Sequence, residues 1–220
     1  MKVNLLTIFP DYFVSSFNAS IIKRGQKFGA VEINIIDIRN FAQDKHKLTD
    51  DRPFGGGPGM VMKVEPIDLA LKSIGVTKQT TAKNSKIMLT SAKGKLFNQK
   101  KAIEYSNLDE LTIICGHYEG VDERVAENLV DEEIRIGDYV LTGGEPAALV
   151  IIDSIVRLLP SVLGNDESNK NESHSVPGKL SHPQYTRPQE YNGWKVPDVL
   201  ITGNHENVAK WRSEKTGLDK

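Results

Sequence analysis

Short apolar runs alternate along the chain with segments of helical spacing. Five runs predict strands, and they cover residues 2–8, 31–38, 85–90, 110–115 and 132–136. Helical spacing or capping predicts helices at residues 11–25, 65–75, 98–105, from 122 onward and at 146–160. Because strands and helices alternate, the predicted fold class is α/β with a mostly parallel sheet.

Two glycine-containing segments interrupt this pattern. Residues 91–94 (SAKG) are predicted to turn the chain after the third strand. Residues 55–59 (GGGPG) fit neither a helix nor a regular strand, so residues 44–62, which contain them, are predicted to form a loop. The GGGPG run lacks the lysine and hydroxyl of a phosphate-binding loop. Two interpretations of residues 55–59 stay open: a flexible surface loop, or a loop that contacts and is ordered by a substrate.

The pattern changes after residue 164. Residues 164–182 are polar, have no periodic apolar positions, and are predicted to form a linker. The proline-punctuated segment beyond them ends in a helix capped by Asn204. We therefore expect a main domain at residues 1–163 and a small C-terminal domain at residues 183–220. The latter is too short for its own core and should pack on the main domain or on a second subunit.

Composition is that of an ordinary globular protein, but charge is segregated along the chain. The 220 residues have a net charge of −1, with 39% hydrophobic and 26% charged residues. Residues 78–101 contain seven lysines and no acidic residue, whereas residues 109–133 contain nine acidic residues and one arginine. The lysine-rich face is either simply solvated or able to hold a phosphate backbone.

The cysteine, histidine and hydropathy patterns exclude several classes of protein. Cys115 is the single cysteine, which excludes a disulfide within the chain and favours a reducing compartment. No apolar run approaches the ~20 residues of a membrane span. Pro10 and Asp11 interrupt the N-terminus too early for a signal peptide. We expect a cytoplasmic protein with no membrane partner, and the five histidines predict no metal site.

Glycines recur between residues 116 and 144 where strands end or helices begin. The three turns contain Gly116 and Gly120, Gly137, and the pair Gly143 and Gly144. Glycine lets the backbone turn sharply or approach a ligand closely. The pattern indicates either a cradle of backbone N–H and C=O groups for one ligand, or ordinary tight loops between strands and helices.

Six motifs, in order along nearly the whole chain, resemble one family. They are GGGPGMV (55–61), CGHYEGVDERV (115–125), IGDYVLTGGE (136–145), IVRLLPSVLG (155–164), PQYTRP (183–188) and VPDVLITGNH (196–205). The family is the bacterial tRNA (guanine-N1)-methyltransferases of the SPOUT class. The resemblance implies a deep trefoil knot in the C-terminal part of the sheet domain and a small, mainly helical C-terminal domain that binds tRNA. Pattern alone would have predicted an unknotted sheet.

The same resemblance implies the cofactors and the assembly. S-adenosylmethionine would be the methyl donor, magnesium a further cofactor, and the active site would lie across a homodimer interface. By position, the residues expected to bind S-adenosylmethionine are Leu89, Thr90, Ser91, Gly116, Tyr118, Glu119, Gly120, Ile136, Gly137, Asp138, Tyr139, Val140, Leu141, Gly143 and Gly144. The glycine turns and the family thus indicate the same region.

The implied substrate is the guanine at position 37 of tRNA, next to the anticodon. Removing the N1 proton requires a general base, and the charge that spreads to O6 requires a cation. By position these are Glu172, where the family has an aspartate, and Arg157; His174 is another possible proton acceptor. Spacing alone would make Arg157 and Asp153 a surface ion pair on one helix.

The sequence departs from the family in two further places. Residues 92–94 (AKG) replace a Pro-Gln-Gly turn, and the chain ends soon after its last predicted helix. The cations expected to hold tRNA are Lys93, Lys95, Arg187, Lys210 and Arg212. The alternatives are a related knotted methyltransferase acting on ribosomal RNA or a ribose hydroxyl, which GGGPGMV and PQYTRP disfavour, and an RNA-binding protein that has lost catalysis.

Overall fold

Five parallel strands form the central sheet of the computed structural model, which describes residues 1–78, 84–164 and 172–218. The strands are β1 (Lys2–Thr7), β2 (Glu32–Asp37), β3 (Ser85–Leu96), β4 (Glu110–Cys115) and β5 (Glu132–Arg135), in the order β2-β1-β4-β3-β5. Every neighbouring pair is parallel. The predicted α/β class with a mostly parallel sheet is confirmed.

Helices connect the strands and cover both faces of the sheet. They are α1 (Val14–Phe17), α2 (Ser20–Lys27), α3 (Val64–Ser73), α4 (Gln99–Ser106), α5 (Glu123–Asn128) and α6 (Glu145–Val156). Short 3-10 helices precede α1 (Pro10–Phe13) and follow β2 (Ile38–Phe41). The side chains of Asn98 and Asp122 cap α4 and α5 by accepting hydrogen bonds from backbone N–H groups, and Pro146 lies in the first turn of α6.

Alternate strand residues supply two apolar clusters, one on each face of the sheet. Leu5, Met88 and Ile113 belong to the cluster that α6 covers, whereas Leu6 and Ile114 belong to the cluster under α3 and α5. Successive strand side chains point to opposite faces, so a sheet covered on both sides needs continuous apolar strands. This requirement explains the unbroken apolar runs in the sequence.

Two predicted elements differ from the structure. The helix expected at residues 11–25 is interrupted, because Ala19 is extended (φ −120°, ψ 154°) and a new helix begins at Ser20. The turn expected at residues 91–94 is instead a bulge inside β3, since Thr90 and Lys95 both pair with Ile134 of β5. Gly94 lies against the backbone of Glu133 and Ile134, a contact across the sheet that local sequence does not reveal.

The chain divides into two compact units, residues 1–165 and 166–220. In the described part of the second unit, residues 179–180 pair with 217–218, and residues 190–191 pair with 194–195 as a hairpin. A 3-10 helix (Asp198–Leu200) and α7 (His205–Lys215), capped by the side chain of Asn204, complete it. No side chain among residues 172–217 is fully buried. Among the described residues, no helix is long and apolar enough to cross a membrane.

Candidate active site

A cavity of about 420 Å³ opens at the carboxyl ends of three neighbouring strands. β3 contributes residues 89–93, at the start of its bulge. The turn after β4 contributes residues 116–121, and the segment after β5 contributes residues 136–137 and 139–144. In parallel sheets the carboxyl ends of the strands share one edge, where ligands commonly bind. The fold therefore brings three segments that are distant in sequence to one place.

Fourteen of the fifteen residues expected to bind the cofactor line this cavity. The exception is Asp138, whose carboxylate accepts a hydrogen bond of 2.7 Å from Nε of Arg135. Arg135 also donates to the carbonyl oxygen of Gly94 in the β3 bulge. Asp138 is thus an exposed residue paired with Arg135 beside the cavity rather than part of its lining.

Backbone contacts around Thr90 join the turns at Gly116 and Gly144. The N–H of Gly116 donates to Thr90 Oγ1 (3.1 Å), and the N–H of Gly144 donates to the carbonyl oxygen of Gly116 (2.7 Å). A Cβ at Gly116 would lie 2.8 Å from the Thr90 carbonyl oxygen, and a Cβ at Gly144 would overlap Thr90 Oγ1. Glycine is required at both positions by this close packing.

An apolar rim borders the cavity. Tyr139, Val140 and Leu141 line it and remain exposed, with Val140 86% exposed. These three consecutive side chains leave apolar surface open at the edge of the cavity. Together with the backbone groups of the turns, this rim suits a flat heterocycle with polar edges.

Charged side chains that the sequence analysis did not assign to the cofactor site also line the cavity. Lys93 pairs with Glu123, and its ammonium lies 3.8 Å from Glu133. The hydrogen bond with Glu123 raises the pKa of Lys93. Glu133 Oε1 is buried and has no hydrogen-bond partner among the described residues. Only the long-range bulge brings these groups together, so no local pattern could have identified them.

A second polar group lies beside the Gly143 turn. His117 lines the cavity, and its Nδ1 is 3.7 Å from Oε2 of Glu145. Glu145 is 2% exposed and accepts a hydrogen bond of 2.7 Å from Thr7 Oγ1. Because Glu145 begins α6, the pair connects that helix to the turn after β4. A histidine and a glutamate 28 positions apart in sequence gave no signal of this contact.

The glycine-rich loop, residues 55–59, leads directly into a wall of this cavity. The N–H of Glu119 donates to the carbonyl oxygen of Met60 (3.0 Å), and the N–H of Met62 donates to that of Gly120 (2.9 Å). Residues 50–51 also pair with 61–62, so the segment predicted as a loop contains a short antiparallel ladder. Phe54 is fully exposed. The loop is thus anchored at its C-terminal end and open at Phe54.

The two residues expected to be catalytic belong to different units. Arg157 directly follows α6 in the first unit, and its N–H donates to the carbonyl oxygen of Asp153 (3.2 Å). Glu172 belongs to the second unit, where its carbonyl oxygen accepts hydrogen bonds from the N–H (3.2 Å) and Oγ (2.7 Å) of Ser175. Their roles stay predictions.

No group of three or more His, Cys, Asp or Glu side chains is placed to hold a metal ion within residues 1–78, 84–164 and 172–218.

Burial raises the pKa of the Cys115 thiol, and the neighbouring Glu145 carboxylate adds to this effect. Cys115 is therefore a protonated core residue rather than a ligand or a nucleophile.

A family model and the similar proteins with known names all point to one family. A family model described as tRNA (Guanine-1)-methyltransferase TrmD matches residues 1–219. A protein of Fusobacterium nucleatum is 54% identical over 216 residues, which are 98% of this chain and 86% of that protein. One from a Sulfurihydrogenibium species is 53% identical over 212 residues (96% and 81%), and one from Bacillus cereus is 49% identical over 216 (98% and 87%). All three are named tRNA (guanine-N(1)-)-methyltransferase.

Proposed function

Because the chain belongs to the tRNA (guanine-1)-methyltransferase family, we propose that it methylates N1 of the guanine at position 37 of tRNA, next to the anticodon. Methylation of guanine N1 in tRNA with S-adenosylmethionine follows from membership of the family. The position in the tRNA, the residues that act and the assembly are the finer parts of the proposal.

The cavity formed by the three turns is the observation that carries the proposal. Its volume of about 420 Å³ lies within the usual range for small-molecule sites. The backbone groups around Gly116 and Gly144 would hold the adenosine part, with Tyr139, Val140 and Leu141 against the base. The buried, unpartnered Oε1 of Glu133 suits an ammonium group such as that of a bound amino acid. The residues present therefore fit S-adenosylmethionine.

The chain's own groups would handle the proton and the charge. N1 lies on the pairing edge of guanine, so the base must be splayed out of its stack to be read. The guanidinium of Arg157 would hold O6, where negative charge develops, and the carboxylate of Glu172 would take the N1 proton. S-adenosylmethionine bound in the cavity would supply the methyl group that N1 accepts, with the electron pair of the broken carbon–sulfur bond staying on sulfur.

Labelled S-adenosylmethionine and unmodified tRNA test this function. We expect label on guanine N1 at one position of the tRNA, identified after nuclease digestion. Label on a ribose hydroxyl, or on ribosomal RNA in preference to tRNA, would overturn the proposed substrate. Binding of S-adenosylmethionine without transfer would indicate an RNA-binding protein without catalysis.

A pair of glycine variants tests the location of the cofactor. Gly144→Ala places a methyl group against Thr90 Oγ1, whereas a Cβ at Gly164 meets only Arg24, at 3.7 Å. We expect Gly144→Ala to abolish calorimetrically detectable S-adenosylmethionine binding and Gly164→Ala to preserve it. Equal affinity in the two variants would place the cofactor elsewhere.

We also propose a homodimer with the active site across its interface. Tyr12, Val14 and Val150 expose apolar surface on the turn before α1, on α1 and on α6, and that turn packs against α6. Mixed dimers of Arg157→Ala and Glu172→Ala would test the shared site. If each site uses Arg157 of one subunit and Glu172 of the other, the mixed dimer regains one intact site. Mixing without any recovery of activity, with exchange shown by mass spectrometry, would exclude this arrangement.

Magnesium dependence and the trefoil knot remain implications of the family. No step above depends on a metal ion. Activity measured in EDTA with magnesium restored would test the first, and an experimental chain trace through residues 85–156 would test the second.

A further inference from the structure

Three charged side chains meet in the lining of the candidate cofactor cavity without a role in the chemistry above. Lys93 comes from the bulge of β3, Glu123 from the first turn of α5 and Glu133 from β5, and all three line the cavity. The ammonium of Lys93 pairs with Glu123 and lies 3.8 Å from Oε2 of Glu133. A positive charge therefore lies between two negative charges at this place in the cavity wall.

The contacts within this cluster leave it able to bind a charged ligand. The side chains of Lys93 and Glu123 are 56% and 58% exposed, and an exposed ion pair contributes little to stability. Lys93 and Glu123 can thus exchange each other for the charges of a ligand at little cost. Glu133 Oε1 has no hydrogen-bond partner among the described residues, so this carboxylate can accept a further hydrogen bond.

Arg135 also lines the cavity, but its guanidinium is already engaged. It donates hydrogen bonds to the Asp138 carboxylate and to the carbonyl oxygen of Gly94. The ammonium of Lys93, by contrast, is held by carboxylates that the ammonium group of a ligand can share. Lys93 is therefore the better placed of these two cations to meet an anionic group in the cavity.

The lysine at position 93 is a feature of this chain. Residues 92–94 (AKG) stand where the family has Pro-Gln-Gly, so Lys93 replaces a neutral glutamine. Lys93 is one of the cations expected to hold tRNA. In the structure, however, it has two carboxylates within 4.0 Å, and their charges oppose the approach of a phosphate. A ligand group that carries both signs of charge fits this position better.

We propose that these three side chains bind the α-amino acid group of S-adenosylmethionine. Lys93 holds its carboxylate, and Glu123 and Glu133 hold its ammonium. An α-amino acid carries opposite charges on neighbouring groups, which matches a lysine placed between two glutamates. The inference rests on the proposed function and deepens it, because Lys93 becomes a specificity-determining residue that selects a methyl donor with a carboxylate.

Calorimetry with two forms of the cofactor tests Lys93. Decarboxylated S-adenosylmethionine keeps the sulfonium and the ammonium but lacks the carboxylate. We expect Lys93→Gln, which restores the residue of the family, to lower the affinity for S-adenosylmethionine about tenfold, as one charge-assisted hydrogen bond is lost. The same variant should not lower the affinity for the decarboxylated form. An equal loss for both forms, or a loss for neither, would overturn the inference.

Glu133→Gln tests the other half of the amino acid group. Methylthioadenosine lacks the whole amino acid group, whereas the two forms of the cofactor both carry the ammonium. We expect Glu133→Gln to lower the affinity for both forms and to leave that for methylthioadenosine unchanged. Weaker binding of methylthioadenosine would show that Glu133 acts through the shape of the cavity, which would overturn its assigned contact.

Lys72 provides a matched control for the loss of an exposed ion pair. Its side chain is 58% exposed, and it pairs with Asp68 on α3, outside the cavity lining. Lys72→Gln should bind both forms of the cofactor as the wild type does. A loss in Lys72→Gln equal to that in Lys93→Gln would remove the evidence for a contact at Lys93.

Activity measurements separate this inference from the function on which it rests. A wild-type chain that does not methylate tRNA would remove the proposed function. The alternative role of Lys93 is a contact with tRNA. If the wild type methylates tRNA, and Lys93→Gln raises the KM for tRNA but keeps its affinity for S-adenosylmethionine, only the inference fails.

Discussion

At the scale of single residues, Thr90 is a polar side chain that joins the turns around the candidate cavity. Its Oγ1 accepts a hydrogen bond from the Gly116 N–H and donates one of 3.2 Å to the carbonyl oxygen of Ile114. Thr90→Val keeps the shape but leaves the Gly116 N–H without its acceptor. We expect a loss of stability of about 1–3 kcal/mol together with weaker S-adenosylmethionine binding, measured by thermal melts and calorimetry.

Thr112 provides the matched control for Thr90. It is also buried, in the neighbouring strand β4, but among the described residues its Oγ1 has only the amide of Asn4 as a hydrogen-bond partner, at 3.4 Å, and it lies outside the cavity lining. Thr112→Val should cost stability without changing S-adenosylmethionine affinity. A common loss of affinity in both variants would mean that Thr90 acts only through global stability.

Cys115 offers a residue-scale prediction from its pKa. Burial raises the pKa of this thiol, so the reactive thiolate is scarce in the folded protein at neutral pH. We expect one thiol per chain to react with a thiol-specific dye in denaturant and none within the same time in the native protein. Rapid native reaction would show that β4 opens readily.

At the scale of elements, Glu132 connects β5 to β3 and α4. Its carboxylate, 7% exposed, accepts from Tyr105 and Lys101 and lies 3.3 Å from Lys86. Burial alone would raise the pKa of Glu132, but hydrogen bonds from Lys101 and Tyr105 and the charge of Lys86 lower it overall. A lowered pKa stabilises the fold above the unfolded value of about 4.3, and this stabilisation is lost as pH falls through the folded pKa.

Glu132→Gln tests this linkage between elements. The variant should be less stable than the wild type at neutral pH, and the difference should shrink as pH falls below about 4.3. Exposed Glu127 gives a matched control, because Glu127→Gln should retain the acid dependence of the wild type. If the difference in melting temperature between the wild type and Glu132→Gln stayed the same at every pH, the lowered pKa of Glu132 would not be a source of stability.

Elements with local signals were predictable, and elements set by distant contacts were not. β4 matches its predicted run of residues 110–115, and the predicted caps at Asp122 and Asn204 form, since period and capping are properties of neighbouring residues. The bulge at residues 91–94 depends on β5 lying against Gly94. Fourteen residues named from the motifs line the cavity, whereas Glu133 and His117 could be placed there only from the folded sheet.

At the scale of the whole molecule, the two units differ in what holds them together. Both apolar clusters lie within the first unit, while no side chain of residues 172–217 is fully buried. A chain ending at residue 164 should therefore fold and bind S-adenosylmethionine. Without Glu172 its methyl transfer should fall by roughly 10²-fold or more. Calorimetry and the labelled-tRNA assay would measure the two properties separately.

The outcome for the second unit alone is the converse. Residues 172–218 should show little cooperative unfolding by circular dichroism, because too little apolar surface is removed from water. A cooperative melt of this fragment would show that the second unit folds on its own. Loss of S-adenosylmethionine affinity in the chain ending at residue 164 would show that the first unit needs the second for binding.

The cavity around Gly116 and Gly144 also bears on drug resistance. At these two turns main-chain atoms form part of its walls, and they pack so closely that an added methyl group at Gly144 would overlap the Thr90 side chain. An inhibitor that binds mainly to those main-chain groups would contact few side chains, so few mutations could weaken its binding. Substitutions that exclude such a compound from this pocket would also exclude the S-adenosylmethionine that we propose binds there, so escape would have to come from the exposed rim at Tyr139 to Leu141.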